Sequence, residues 1–112
     1  MISKEVEFEV TQEHIDHGKK ADCENCPVAI CILEQLVDGA KIEVDYDGLT
    51  LYKDFDKSTS EYHTEYNRST PKEVRMFVTD FDYDWEVEPF KFSLFLPMEF
   101  LKRYNPASPT NA

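Results

Sequence analysis

The segment from Pro27 to Val37, PVAICILEQLV, is the longest apolar run in the chain and the one that most restricts its folding. Val28, Cys31, Ile32, Gln35 and Leu36 form one helical stripe, while Ala29, Ile30, Leu33 and Val37 cover much of the remaining circumference. A helix apolar on nearly every side has to be surrounded, so it is expected to be the central rod of the core. Cys26-Pro27 marks its start, because proline suits the first helical position and drives the preceding residue out of helical conformation. Asp38-Gly39 ends it.

The rest of the chain supplies the wrapping. From Ile2 to Val10 the apolar residues Val6, Phe8 and Val10 alternate with Glu5, Glu7 and Glu9, which predicts a strand with one buried face. Thr11 can cap a short helical turn over Gln12 to His17, and Gly18 is expected to end it by adopting positive φ. Lys19 to Asn25 reads as loop. Lys41 to Phe55 predicts a hairpin, with Ile42, Val44 and Tyr46 before Asp47-Gly48, and Leu49 and Leu51 after it on the same face. The polar stretch Asp56 to Arg68 is expected to be an exposed loop or an irregular edge strand.

Thr70-Pro71-Lys72-Glu73 combines a capping box with proline at the first helical position, and Val74, Phe77, Val78 and Phe81 continue at helical spacing. Period two returns from Trp85 to Leu96, with Pro89 marking an edge or a strand start. Pro97 to Tyr104 can close the fold as a short helix with Met98, Leu101 and Phe100 as its candidates for the inward face. The order β-α-β-β-α-β-α predicts an α+β protein: a mainly antiparallel four-stranded sheet with two to three helices packed on one face. With 112 residues, 41% of them hydrophobic, the chain is long enough for one core. Residues 1–104 are expected to form a single compact domain, and 105–112 a disordered tail.

Charge narrows the function classes. With 23 acidic against 12 basic side chains the formal net charge is −11, a field that disfavours direct binding of nucleic acid or an anionic membrane and suits a basic protein partner. The opening MISKEVEFEV lacks the continuous apolar segment of a signal peptide, and no run approaches the roughly 20 apolar residues of a membrane span. A cytoplasmic protein is expected. Its three cysteines, an odd number, suggest free thiols or metal ligation rather than a disulfide framework.

Two constellations could carry chemistry. His14, His17, Cys23 and Cys26 offer four ligands of the types zinc takes within thirteen residues, and a tetrahedral Zn²⁺ site would pin the short first helix to the second. The same Cys23 and Cys26 could be a redox pair, because a helix N-terminus stabilises thiolate. In the third reading Cys26 only caps its helix, Cys31 is a buried thiol, and His14 packs or hydrogen-bonds beside the core. The other constellation is acidic. Asp80, Asp82, Asp84, Glu86 and Glu88 alternate with other residues, and Glu43, Asp45 and Asp47 repeat the pattern. In extended chain such carboxylates would form a row at roughly 6.6 Å spacing, able to imitate a phosphate backbone, to hold Ca²⁺ or Mg²⁺, or simply to face solvent. No nucleotide-binding or nucleophile-elbow motif is present, and His63 is a solvated loop residue on this reading.

The blocks VTQEHIDHG, CENCPVAI and FVTDFDYDWEVEPFKF resemble a group of small proteins encoded in phages and prophages, with the pattern V-T-x-x-H-I-x-x-G, then C-P-[IV]-A, then F-D before V-x-P-F-x-F. The resemblance implies a phage accessory protein without a defined biochemical role, for which a host-takeover or counter-defence task is one option. It singles out His14, Gly18, Cys23, Cys26, Pro27, Phe81, Asp82, Pro89 and Phe90 without giving any a catalytic role, and leaves His17 and Cys31 outside the pattern. The expected function is therefore binding without catalysis, as an inhibitor or nucleic-acid mimic directed at a basic host protein through Glu43, Asp45, Asp47, Asp82, Asp84, Glu86 and Glu88. A zinc-stabilised interaction module and a cysteine-based redox protein are the alternatives.

Overall fold

The computed structural model describes residues 3–102, so the expected tail at 105–112 lies outside the described residues. The chain runs β1 (Ser3–Val10), α1 (Gln12–His17), α2 (Pro27–Leu33), β2 (Lys41–Val44), β3 (Gly48–Asp56), β4 (Glu61–Ser69), α3 (Lys72–Asp82) and β5 (Phe90–Pro97), with a closing 3₁₀ turn at Met98–Phe100. It is an α+β protein with antiparallel strands throughout, as the periodicity predicts.

The strands divide between two sheets, β1-β5 and β2-β3-β4. β1 and β5 pair along their whole length from Ser3↔Pro97 to Val10↔Phe90, which puts the two inward-facing stripes side by side. Phe8 stacks on Phe92 with ring centroids 5.2 Å apart. The fifth strand is β4, in the stretch expected to be loop or irregular edge. Tyr62, Thr64 and Tyr66 alternate there with exposed residues, and Tyr62 packs on Phe55 at 5.0 Å and Tyr52 at 5.5 Å. These strand-favouring residues are spaced by polar ones, so the run reads as hydrophilic although one face is half-buried.

α2 lies against α1, β1 and β2, with Val28, Ala29 and Ile32 buried completely. The rod is shorter than the apolar run. It ends at Leu33, itself 40% exposed, and Leu36 then makes a β-bridge to Leu101 while the Val37 N–H donates to the carbonyl of Phe100 at 2.8 Å. The core thus joins Phe8, Ile32, Leu36, Leu51, Leu96 and Phe100, one side chain or more from each end of the chain.

Several punctuation signals act differently from expectation. The hairpin loop spans four residues, with Val44 opposite Leu49 and the Asp45 N–H donating to Gly48 O at 2.8 Å, and Tyr46 points to solvent. Thr70 forms no capping box. It is buried, and its hydroxyl donates to the Asp45 carbonyl at 2.7 Å, tying the start of α3 to that loop. The closing helix is only the single 3₁₀ turn, which inserts Phe100 into the core. Among the described residues, no helix is long and apolar enough to cross a membrane.

Candidate functional site

The cysteine-histidine cluster is built into the fold as structure. Thr11 caps α1 and its backbone N–H donates to His14 Nδ1 at 2.9 Å, so Nδ1 carries the lone pair and Nε2 the proton. That Nε2–H lies 2.9 Å from Glu34 Oε1 just beyond α2. The ring, buried at 8% exposure, therefore staples the two helices through both nitrogens. His17 is exposed, with Nδ1 2.9 Å from the Glu13 carbonyl. Cys26 Sγ caps α2 by accepting the Ala29 N–H at 3.4 Å.

The expected zinc set does not form: no three of His14, His17, Cys23 and Cys26 bring ligand atoms within 4.8 Å of one another, because α1 holds the histidine rings to other partners. The grouping found among the described residues is Cys23 with Glu24 and Glu43. Lys41 already serves as their cation, its Nζ 3.5 Å from Glu43 and 3.9 Å from Glu24. The Tyr52 hydroxyl donates to Glu43 at 3.0 Å, and burial together with that carboxylate pushes its pKa up to about 12.

The redox expectation also meets a contrary environment. All three cysteines are free thiols. Burial pushes Cys26 up to about 11, outweighing the helix-start N–H groups of Ala29 and Val28 that favour thiolate. Cys23 is shifted the same way by burial and then by the charges of Asp45, Glu43 and Glu24. Cys31, donating to the Glu9 carbonyl at 3.2 Å, is pushed to about 12 by burial. Thiolate is the reactive form, and here it is suppressed at every position.

The acidic row is broken by the end of α3. Asp80 and Asp82 lie in its last turn, and Asp84 adopts φ 65. The Trp85 N–H donates to Asp80 O at 2.9 Å and the Asp84 N–H to Phe81 O at 3.2 Å, the paired bonds of a Schellman motif. Glu86 and Glu88 follow in irregular chain before β5. Evenly spaced carboxylates along one strand are thus corrected to a folded-back acidic corner. Two of its members reach the loop before α2: Asp82 accepts the Ala21 N–H at 3.0 Å and Asp84 pairs with Lys20. Glu43 turns to Lys41 and Tyr52, whereas Asp45 and Asp47 stand exposed in the hairpin loop.

What this corner presents is aromatic as well as acidic. Tyr83 is 70% and Trp85 65% exposed, with ring centroids 6.3 Å apart. Beside them a cleft of about 390 Å³ opens between α3 and the hairpin loop, with Cys23, Cys26, Val44, Asp45, Asp82 and Tyr83 on its walls. Period-two reading could not find this face, since it assigned Trp85 to a strand. The signal available was that Tyr83, Trp85 and Val87, at odd positions, are out of phase with Phe90, Phe92, Leu94 and Leu96 at even ones, so a single strand could not bury both sets. Comparison with protein-family models, curated proteins and solved structures returns no match for this chain.

Proposed function

We propose that this protein acts by binding a basic protein partner through the corner formed by Tyr83 and Trp85 with Asp82, Asp84, Glu86 and Glu88. The carrying observation is the pair of neighbouring aromatic rings left in solvent in a chain of net charge −11. Exposed aromatic surface has an unfavourable hydration free energy of roughly 25 cal/mol per Å² that a partner would relieve, and Tyr and Trp are the residue types that dominate binding energy at interfaces. Their faces also accept guanidinium and ammonium groups, and the carboxylates around them accelerate encounter with a positively charged surface. The partner proposed, in line with the resemblance to phage and prophage proteins, is a nucleic-acid-handling or defence protein of the host cytoplasm, and the proposed consequence is its inhibition. With the carboxylates not in a row, recognition works through anchors and charge rather than through imitation of a phosphate backbone.

The test uses the wild-type protein and a Tyr83→Ala/Trp85→Ala variant as baits in host extract, followed by titration of the captured protein at low and high salt. The expected partner is basic, is released as salt rises, and binds the variant at least about thirtyfold more weakly, as for two central aromatic anchors. A partner held equally by both baits, or indifferent to salt, would overturn the proposal.

A further inference from the structure

We infer that the groove between α3 and the segment leading into β5 receives one apolar side chain of that basic partner, flanked in the partner by Lys or Arg. The inference rests on the binding reading above and adds the chemistry of the bound segment. The groove, about 360 Å³, has an apolar floor of Met76, Phe77, Val87 and Phe90. That volume is at the small end of the roughly 300–1,000 Å³ of ligand pockets, which suits one anchor side chain with its adjoining backbone. The floor is preformed, because Phe77 stacks on Phe90 at 4.8 Å and on Phe81 at 5.9 Å. Met76 is 58% exposed beside it, a flexible thioether able to fold over whatever enters.

The rim decides the occupant. Glu73 and Asp80 stand on one wall, on the same face of α3 as Met76 and Phe77, and Glu86 and Glu88 stand on the other. Every charged residue lining the groove is a carboxylate. The nearby cation Arg75 is turned away: its guanidinium lies over Tyr46 at 5.8 Å and donates to Thr70 O at 2.8 Å. Carboxylates on both walls of an apolar slot match an apolar residue between cations. They repel nucleic acid, and they repel a second copy of this −11 chain.

Three synthetic peptides of equal length test this, leucine flanked by lysines, lysine alone, and leucine flanked by glutamates, titrated against the full chain at low salt. Emission of Trp85, the single tryptophan, and the NMR methyl signals of Met76 and Val87 report occupancy. The lysine-leucine peptide is expected to shift both methyls and to bind about tenfold tighter than lysine alone, with no binding of the glutamate peptide. Met76→Lys should weaken the lysine-leucine peptide about tenfold, whereas Glu5→Gln, the same charge change on the far exposed face of β1, should alter it less than about twofold. Glu86→Gln/Glu88→Gln provides a second groove variant that leaves the floor intact. Equal affinity for lysine alone, full binding by both groove variants, or a dimer that buries Met76 would overturn the groove. If lysine peptides bind and are weakened by Tyr83→Ala/Trp85→Ala but not by Met76→Lys, the groove falls and the proposed function stands. If no basic peptide binds at low salt, both fall.

Discussion

Gly18 has φ −71 and ψ 155, angles open to any residue, yet nothing larger fits there. A Cβ at this position would lie 2.4 Å from Pro27 Cδ, 2.5 Å from its Cγ and 2.7 Å from its nitrogen. The glycine is needed because the end of α1 passes directly over the ring that starts α2, and not for the positive φ expected of a helix terminator. Gly39 is the opposite case, with φ +82 and open space around it. Glycine in the sequence announces that one of these two requirements applies, but the second depends on a neighbour nine residues away. Gly18→Ala is expected to destabilise the fold by about 1–3 kcal/mol, the range for overpacking against rigid atoms. Adding Pro27→Ala should restore part of it, because two of the three colliding atoms are removed. Thermal melts of the single and double variants check this, and an unchanged midpoint for Gly18→Ala would contradict it. His14 was legible only in part: hydrogen bonding beside the core was one of its readings, but the reciprocal cap with Thr11 was hidden because histidine stands where glutamate or glutamine would have marked a capping box.

Among the elements, those that announce themselves by local chemistry are the ones periodicity locates: β1 and β5 by alternation, α1 by Thr11, and α3 by Phe77 and Phe81 on one face. β4 was hidden because its buried face is only half-buried, and α2 was overextended because apolar content says nothing of where a helix yields to a β-bridge. The end of α3 was least visible, since its left-handed residue is Asp84 where glycine would have flagged the turn. Aspartate tolerates that conformation better than most side chains, and a β-branched residue does not. Asp84→Val is therefore expected to cost about 1–2 kcal/mol in urea unfolding, from the strained backbone, while Asp84→Gly stays within about 0.5 kcal/mol as relief of the backbone offsets loss of the exposed Lys20 pair. Equal midpoints for the Val and Gly variants would show that the Schellman turn is not what holds the acidic corner.

At the scale of the whole molecule the net charge was fully legible, whereas the aromatic corner that gives it direction required the fold. Charge also acts on the fold itself. Among the described residues the ion pairs range from Lys20–Asp84 in solvent to Lys41–Glu43 at 3.5 Å and Lys53–Glu99 at 3.1 Å, which are partly covered, and pairs open to solvent contribute about 0–1 kcal/mol each. They leave a surplus of carboxylates repelling one another across a body whose radius of gyration is 14.4 Å. The Debye length falls from about 30 Å at 0.01 M salt to about 10 Å at 0.1 M, passing through that dimension. Over this interval repulsion across the folded molecule is screened, while contacts of 3–4 Å persist. The unfolded chain, with its charges farther apart, gains less from screening. The melting temperature is therefore expected to rise between 0.01 and 0.1 M monovalent salt and to flatten above it, while affinity for the basic partner falls over the same range. Thermal melts in sodium chloride, repeated in choline chloride to separate screening from binding of a particular cation, check the first half. A melting temperature that fell with salt would mean that local ion pairs outweigh the −11 surplus, and that the acidic surface is balanced for the folded state rather than held open for a partner.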